Sequence, residues 1–111
     1  MNWYLFLDDE RYPPQWMENN NYFIARNFDE AVALVQKHGM PHMISFDHDL
    51  GEEKTGYDFA KWLIVQHMDG NEFPENFYYH VHSMNPVGAA NIVNFLDGFF
   101  KIIGRLINGK M

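Results

Sequence analysis

Four short apolar runs, at residues 3–7, 22–25, 43–46 and 77–82, restrict this chain most, because each has the length of one buried strand and is too short to stand as a core helix. The stretches between them carry helix punctuation. Asn27, with Glu30 three residues on, reads as a capping box, Phe28, Ala31, Val32 and Val35 follow at helical spacing, and Gly39 supplies the stop. Thr55 caps a second helix from Tyr57 to about Met68, with Phe59, Trp62 and Leu63 inward and Asp69-Gly70 as terminator. Asn85-Pro86 opens a third, whose apolar positions are Ala89, Ile92, Val93, Leu96, Phe99, Phe100 and Ile103. Gly98 offers an alternative, a fifth strand over 99–103 carrying Lys101, but the spacing favours one continuous helix. Residues 11–21 contain Pro13, Pro14 and three consecutive asparagines, and read as an irregular connection with at most a short helix.

Strands alternating with helices imply right-handed crossovers and a mainly parallel sheet. The expected architecture is a small three-layer α/β/α fold with about four strands in the order 2-1-3-4. A chain of 111 residues suits one domain, 1–111, around one core. No run of about 20 apolar residues is present to cross a bilayer. The first residues lack the basic and then apolar pattern of an export signal, and zero cysteines suit a reducing cytoplasm, where we expect the protein to reside. Without cysteine, any metal must sit on oxygen or imidazole. The net charge of −7, from 8 basic and 15 acidic side chains, argues against duplex DNA as a partner. It permits phosphates, provided a cation stands between them and the carboxylates.

Open parallel sheets bind ligands beyond the carboxyl ends of their strands, where strand order reverses. For the order 2-1-3-4 that place lies between strands one and three, which end in Asp8-Asp9 and in Asp47-His48-Asp49. An aspartate at a strand end is also an ordinary solvated turn residue. Two such clusters at one edge point further, because converging carboxylates need a divalent ion, magnesium or manganese, or a buried base. His80 and His82 share a side of the fourth strand. His82, at its end, is the site candidate, and His80, deeper, reads as a core histidine. His48 alternates away from Asp47 and could orient a neighbour. Arg11 could reach an anionic ligand or form a salt bridge with Asp8 or Glu10. Thr55-Gly56 and Asn85-Pro86 set two helix N-termini on this edge, which permits an anion without indicating one. His38, His42, His67, Trp62, Phe95 and Phe99 read as packing or surface residues.

Three ordered motifs carry a resemblance: Leu5-Phe6-Leu7-Asp8-Asp9-Glu10-Arg11, Ser45-Phe46-Asp47-His48-Asp49-Leu50-Gly51, and His82-Ser83-Met84-Asn85-Pro86-Val87-Gly88-Ala89, with Thr55-Gly56-Tyr57-Asp58 between the last two. Together they resemble the cyclic-phosphate-processing receiver-like domains, relatives of the response-regulator receivers. The resemblance implies a receiver-like, flavodoxin-like fold and a metal-dependent phosphoesterase acting on cyclic phosphates, with a phosphorylated small molecule or an RNA end as partner. Asp8 and Asp9 resemble the receiver's metal-binding pair, and Asp47 the aspartate that receivers phosphorylate. The expected metal set is Asp8, Asp9, Asp47 and Asp49. Arg11, Ser83, Asn85 and Thr55 are expected at the substrate, with Asp47 and Arg11 in catalysis and His82 or His48 protonating the leaving oxygen. The chain departs from ordinary receivers in having no clear fifth strand ending in Lys-Pro, since Lys101 lacks the proline. That weakens phosphotransfer relative to hydrolysis. A phosphoaccepting receiver and an acidic binding module remain the alternatives, and the sequence is silent on oligomeric state.

Overall fold

The computed structural model describes residues 2–105 and the backbone of 109–110. Its sheet is built from β1 (Tyr4–Leu7), β2 (Tyr22–Ala25), β3 (Met43–Phe46) and β4 (Tyr78–Val81), the last one residue shorter at each end than its apolar run. These strands run parallel in the order 2-1-3-4, and a two-residue strand β5 (Gly109–Lys110) adds to the free edge of β4. A Gly-Lys pair has no apolar pattern, so this strand carries no signal in the sequence.

The helices begin where the caps predicted. In α2 (Phe28–His38) the Asn27 side chain accepts from the Glu30 amide at 2.8 Å, and Gly39, with φ of 83°, ends the helix. The Glu30 carboxylate returns to the Arg26 amide at 2.9 Å, one residue before the cap, so the expected box is open by one residue. The closed box lies at α3 (Gly56–Met68), where Thr55 and Asp58 bond each other's backbone reciprocally. Pro86 starts α4 (Pro86–Ile102), which holds residues 99–102 as helix and excludes a strand there. Within the Pro- and Asn-rich connection, only the single turn α1 (Gln15–Glu18) forms.

Leu5, Leu7, Ile44, Phe46, Tyr79 and Val81 share one face of the sheet and pack on buried residues of α2, α3 and α4. The opposite face presents Tyr4, Phe6, Tyr22, Ile24, Met43 and Tyr78, covered by α1 through the fully buried Met17. The third layer is thus reduced to one helical turn. Among the described residues, no helix is long and apolar enough to cross a membrane.

Candidate functional site

The register sets the site. Tyr4, Met43 and Tyr78 lie side by side, and Phe6, Ser45 and His80 follow as the next row of the same face. Two residues further along each strand, by the period of two, come Asp8, Asp47 and His82. Their backbone amides extend the ladder past the strand ends, Asp8 to Ala25, Asp47 to Leu7 and His82 to Phe46, at 2.9–3.1 Å. A stiff parallel sheet therefore gathers these three side chains on the face that α1 covers.

Asp8 is fully buried. Its Oδ1 accepts the backbone amides of Glu10 (2.9 Å) and Arg11 (2.8 Å), and its Oδ2 accepts Arg11 Nε (2.8 Å) and His82 Nε2 (2.9 Å). Burial alone would raise its pKa. The two amides, the His82 ring and the Arg11 guanidinium outweigh that and hold the carboxyl below its ordinary value. For His82 burial prevails over the pull of Asp8, so the imidazole titrates below its usual range and is neutral at pH 7. A neutral ring beside an ionised Asp8 must carry its proton on Nε2. Nδ1 then accepts from the Ser45 hydroxyl, 2.6 Å away. The ring lies flat on Phe6, centroids 4.7 Å apart.

Arg11, 41% exposed, reaches from Asp8 toward Asp47, its Nη2 3.5 Å from Asp47 Oδ2. Above them opens a cavity of about 550 Å³ lined by Asp9, Glu10, Arg11, Asp47, Asp49, Gly51 and Met84. The loop that carries Arg11 is clamped by Arg26, whose Nη1 donates to the carbonyls of Asp8 and Arg11 and whose guanidinium stacks on Tyr12.

Of the expected site residues, Asp9, Arg11, Asp47 and Asp49 line this cavity, with Asp8 and His82 beneath them. The others have different work. Thr55 and Asn85 spend their side-chain oxygens on the amides of Asp58 and Gly88 as helix caps. The Ser83 hydroxyl accepts the Asn85 amide at 3.0 Å. His48 turns away, as its alternation implied: its ring lies against Gly88, and Nδ1 contacts Asp49 Oδ1 at 2.9 Å, which lowers the Asp49 pKa. His82 is no free proton donor, because both its nitrogens are engaged within the floor. His80 is half-buried rather than deep in the core, its ring tilted against Trp16.

The structure adds Ser45, Arg26 and two glycines. A Cβ on Gly56 would stand 1.9 Å from the Asp47 carbonyl oxygen, and one on Gly88 would stand 2.4 Å from the His48 ring. Ser45 had a signal, a lone hydroxyl in an otherwise apolar strand. Arg26 had none, since its contacts lie 15 and 18 residues back along the chain.

The donor set fits a divalent cation in type and spacing. Asp8, Asp47 and His82 each offer one ligand atom, all within 4.8 Å of one another; the two carboxylates suit magnesium or manganese, whereas the imidazole suits a softer ion such as zinc. In this arrangement Arg11 supplies the positive charge between the two carboxylates, so a cation would share them with it.

A parallel sheet of order 2-1-3-4-5 with carboxylates at the ends of β1 and β3 defines a receiver-like protein. Solved structures agree on the fold. The N-terminal domain of a response regulator/sensory box/GGDEF three-domain protein from Carboxydothermus hydrogenoformans superposes with a TM-score of 0.58 at 20% identity, over 98% of this chain and 79% of that one. A fusion carrying a yeast trimeric coiled coil gives 0.58 at 18% identity, over 99% and 67%. The chain belongs to the cyclic-phosphate processing receiver domain family, whose model matches residues 3–98. No curated protein matches it.

Proposed function

We propose that this protein is a phosphoesterase that opens cyclic phosphates, those of nucleotides or of RNA ends, at the cavity above Arg11 and Asp47. The observation that carries the reading is the Asp8–Arg11–Asp47 arrangement. A guanidinium fixed by a buried carboxylate faces an open cavity beside a second carboxylate, in a chain of the cyclic-phosphate processing family. Arg11 pairs with a phosphoryl oxygen, and its bond to Asp8 sets its direction before substrate arrives. Asp47 accepts a proton from the attacking water. The new bond joins water oxygen to phosphorus, the ring ester bond breaks, and the leaving oxygen takes its proton from solvent water at the open mouth of the cavity. His82 and Ser45 hold Asp8 in place. A divalent cation held by Asp8 and Asp47 would acidify the water and offset charge on the phosphoryl oxygens, and His82 would join it only by giving up its Nε2–H bond to Asp8. We place this activity in the cytoplasm, as the absence of cysteine suggests.

The test is hydrolysis of 2′,3′-cyclic nucleotides and of cyclic-phosphate-ended RNA with magnesium, manganese or a chelator. Turnover that needs the metal and is lost in Asp47→Ala supports the reading; no turnover with any metal removes it. Asp47 also stands at the end of a central strand with its carboxylate on the cavity, which keeps a phosphoaccepting receiver as the second reading. Under a small phosphodonor with magnesium, that reading requires one added phosphoryl group on wild type and none on Asp47→Asn.

A further inference from the structure

The cavity is larger than a phosphate needs, and one of its walls has the wrong polarity for one. At about 550 Å³ this open cavity has room for a small molecule larger than a phosphate, within the roughly 300–1,000 Å³ usual for ligand sites. Six of its lining residues are acidic, basic or glycine; the seventh is Met84.

Met84 is 86% exposed on the loop between β4 and α4. Its neighbours are polar and turned inward. The Ser83 hydroxyl accepts the Asn85 amide, and the Asn85 side chain accepts the Gly88 amide at 2.9 Å, so the loop is braced on both sides. The ring of His48 packed against Gly88 stiffens the first turn that follows. A braced loop with serine and asparagine inward and methionine outward reverses the usual distribution of polarity. The braced loop places Met84 on the lining of the cavity that also presents Arg11.

We propose that Met84 is a specificity-determining residue that packs on a nucleobase, so that the cyclic phosphates taken here are those carried on a nucleoside. This rests on the reading above, in which Arg11 holds the phosphoryl group. Methionine suits the task because its unbranched, polarizable side chain accommodates either face of a flat ring and makes favourable sulfur–aromatic contacts.

Calorimetric binding separates the two claims. Wild type and Met84→Ala are titrated with adenosine 2′,3′-cyclic phosphate and with glycerol 1,2-cyclic phosphate, which keeps the ring ester and lacks the base. Met84 is exposed, so the truncation leaves the fold intact, and a melting curve verifies it. Wild type should prefer the nucleotide, and Met84→Ala should weaken nucleotide binding about three- to tenfold, the effect of losing one sulfur–aromatic contact, while leaving the glycerol ester unchanged. A nucleotide preference that survives Met84→Ala, or equal binding of both esters to wild type, overturns the role of Met84 and leaves the phosphate site standing. Binding of neither ester overturns both.

Discussion

Replacing Asp8 by alanine should cost the protein a large part of its stability, quite apart from any chemistry. The carboxylate is fully buried and accepts four hydrogen bonds. Arg11 is 41% exposed and can turn to water, so its share is small. The amides of Glu10 and Arg11 and the His82 ring lose an ionised acceptor, at about 1–2 kcal/mol each. The sum, roughly 3–6 kcal/mol, is a large fraction of the 5–15 kcal/mol typical of a small domain. Denaturant unfolding at pH 7 in the presence of a chelator measures it without any contribution from bound metal. Asp8→Asn, which can keep the two amide bonds on its oxygen but sets an NH₂ against Arg11 or His82, should lose about half as much. The folded-state pKa of Asp8 is depressed, so its contribution is complete above the unfolded value near 3.8 and disappears as pH falls through the folded one. The gap between wild type and Asp8→Asn should therefore close on acidification. A loss below about 1 kcal/mol in Asp8→Ala, or a gap that does not change between pH 7 and strong acid, would refute this account of the site's floor.

Gly56→Ala should destabilise by about 2 kcal/mol or more, because the added Cβ meets the backbone carbonyl of Asp47 at 1.9 Å; thermal melts check this, and an unchanged midpoint contradicts the packing. Arg26→Met removes the donors to the Asp8 and Arg11 carbonyls without touching the cavity, so KM for a cyclic phosphate should rise more than kcat falls, with a stability loss of about 1–2 kcal/mol. Tyr78, whose hydroxyl donates to that of Tyr4 at 3.1 Å, has its pKa pushed up by burial to about 12, so an ultraviolet pH titration should lose a phenol transition in that range in Tyr78→Phe, while Tyr79, raised further by burial and by its bond to Asp97, stays protonated.

Much of the site could be read from the sequence because a parallel sheet turns chain position into spatial position. Asp8 and Asp47 each follow the last residue of a short apolar run, and paired strands bring those ends together. Arg11 was legible for the same reason, being three residues from Asp8. The helix caps at Asn27, Thr55 and Asn85 are local motifs and were legible as such. Thr55 and Asn85 show that a cap on the site's edge has the residue type of a ligand: each side-chain oxygen is committed to its helix, while the Asn85 Nδ2 faces Asp49 at 3.4 Å. Residues whose work depends on distant partners were not visible. Arg26 looks like any exposed arginine after a strand, and Gly56 and Gly88 like ordinary first-turn glycines, until Asp47 and His48 are placed beside them. The thin third layer was also hidden, because a single turn holding one buried methionine has no periodicity to detect.

The central claim is that the cavity above Arg11 and Asp47 is where a cyclic phosphate binds. Backbone amide NMR during titration with a 2′,3′-cyclic nucleotide tests it most directly, whether or not turnover follows. The account predicts shifts concentrated at residues 8–11, 47–51 and 83–85 that vanish in Arg11→Met. Shifts gathered instead around Asn19, Asn20, Asn21 and His42, which line a separate cavity away from Arg11, would contradict it.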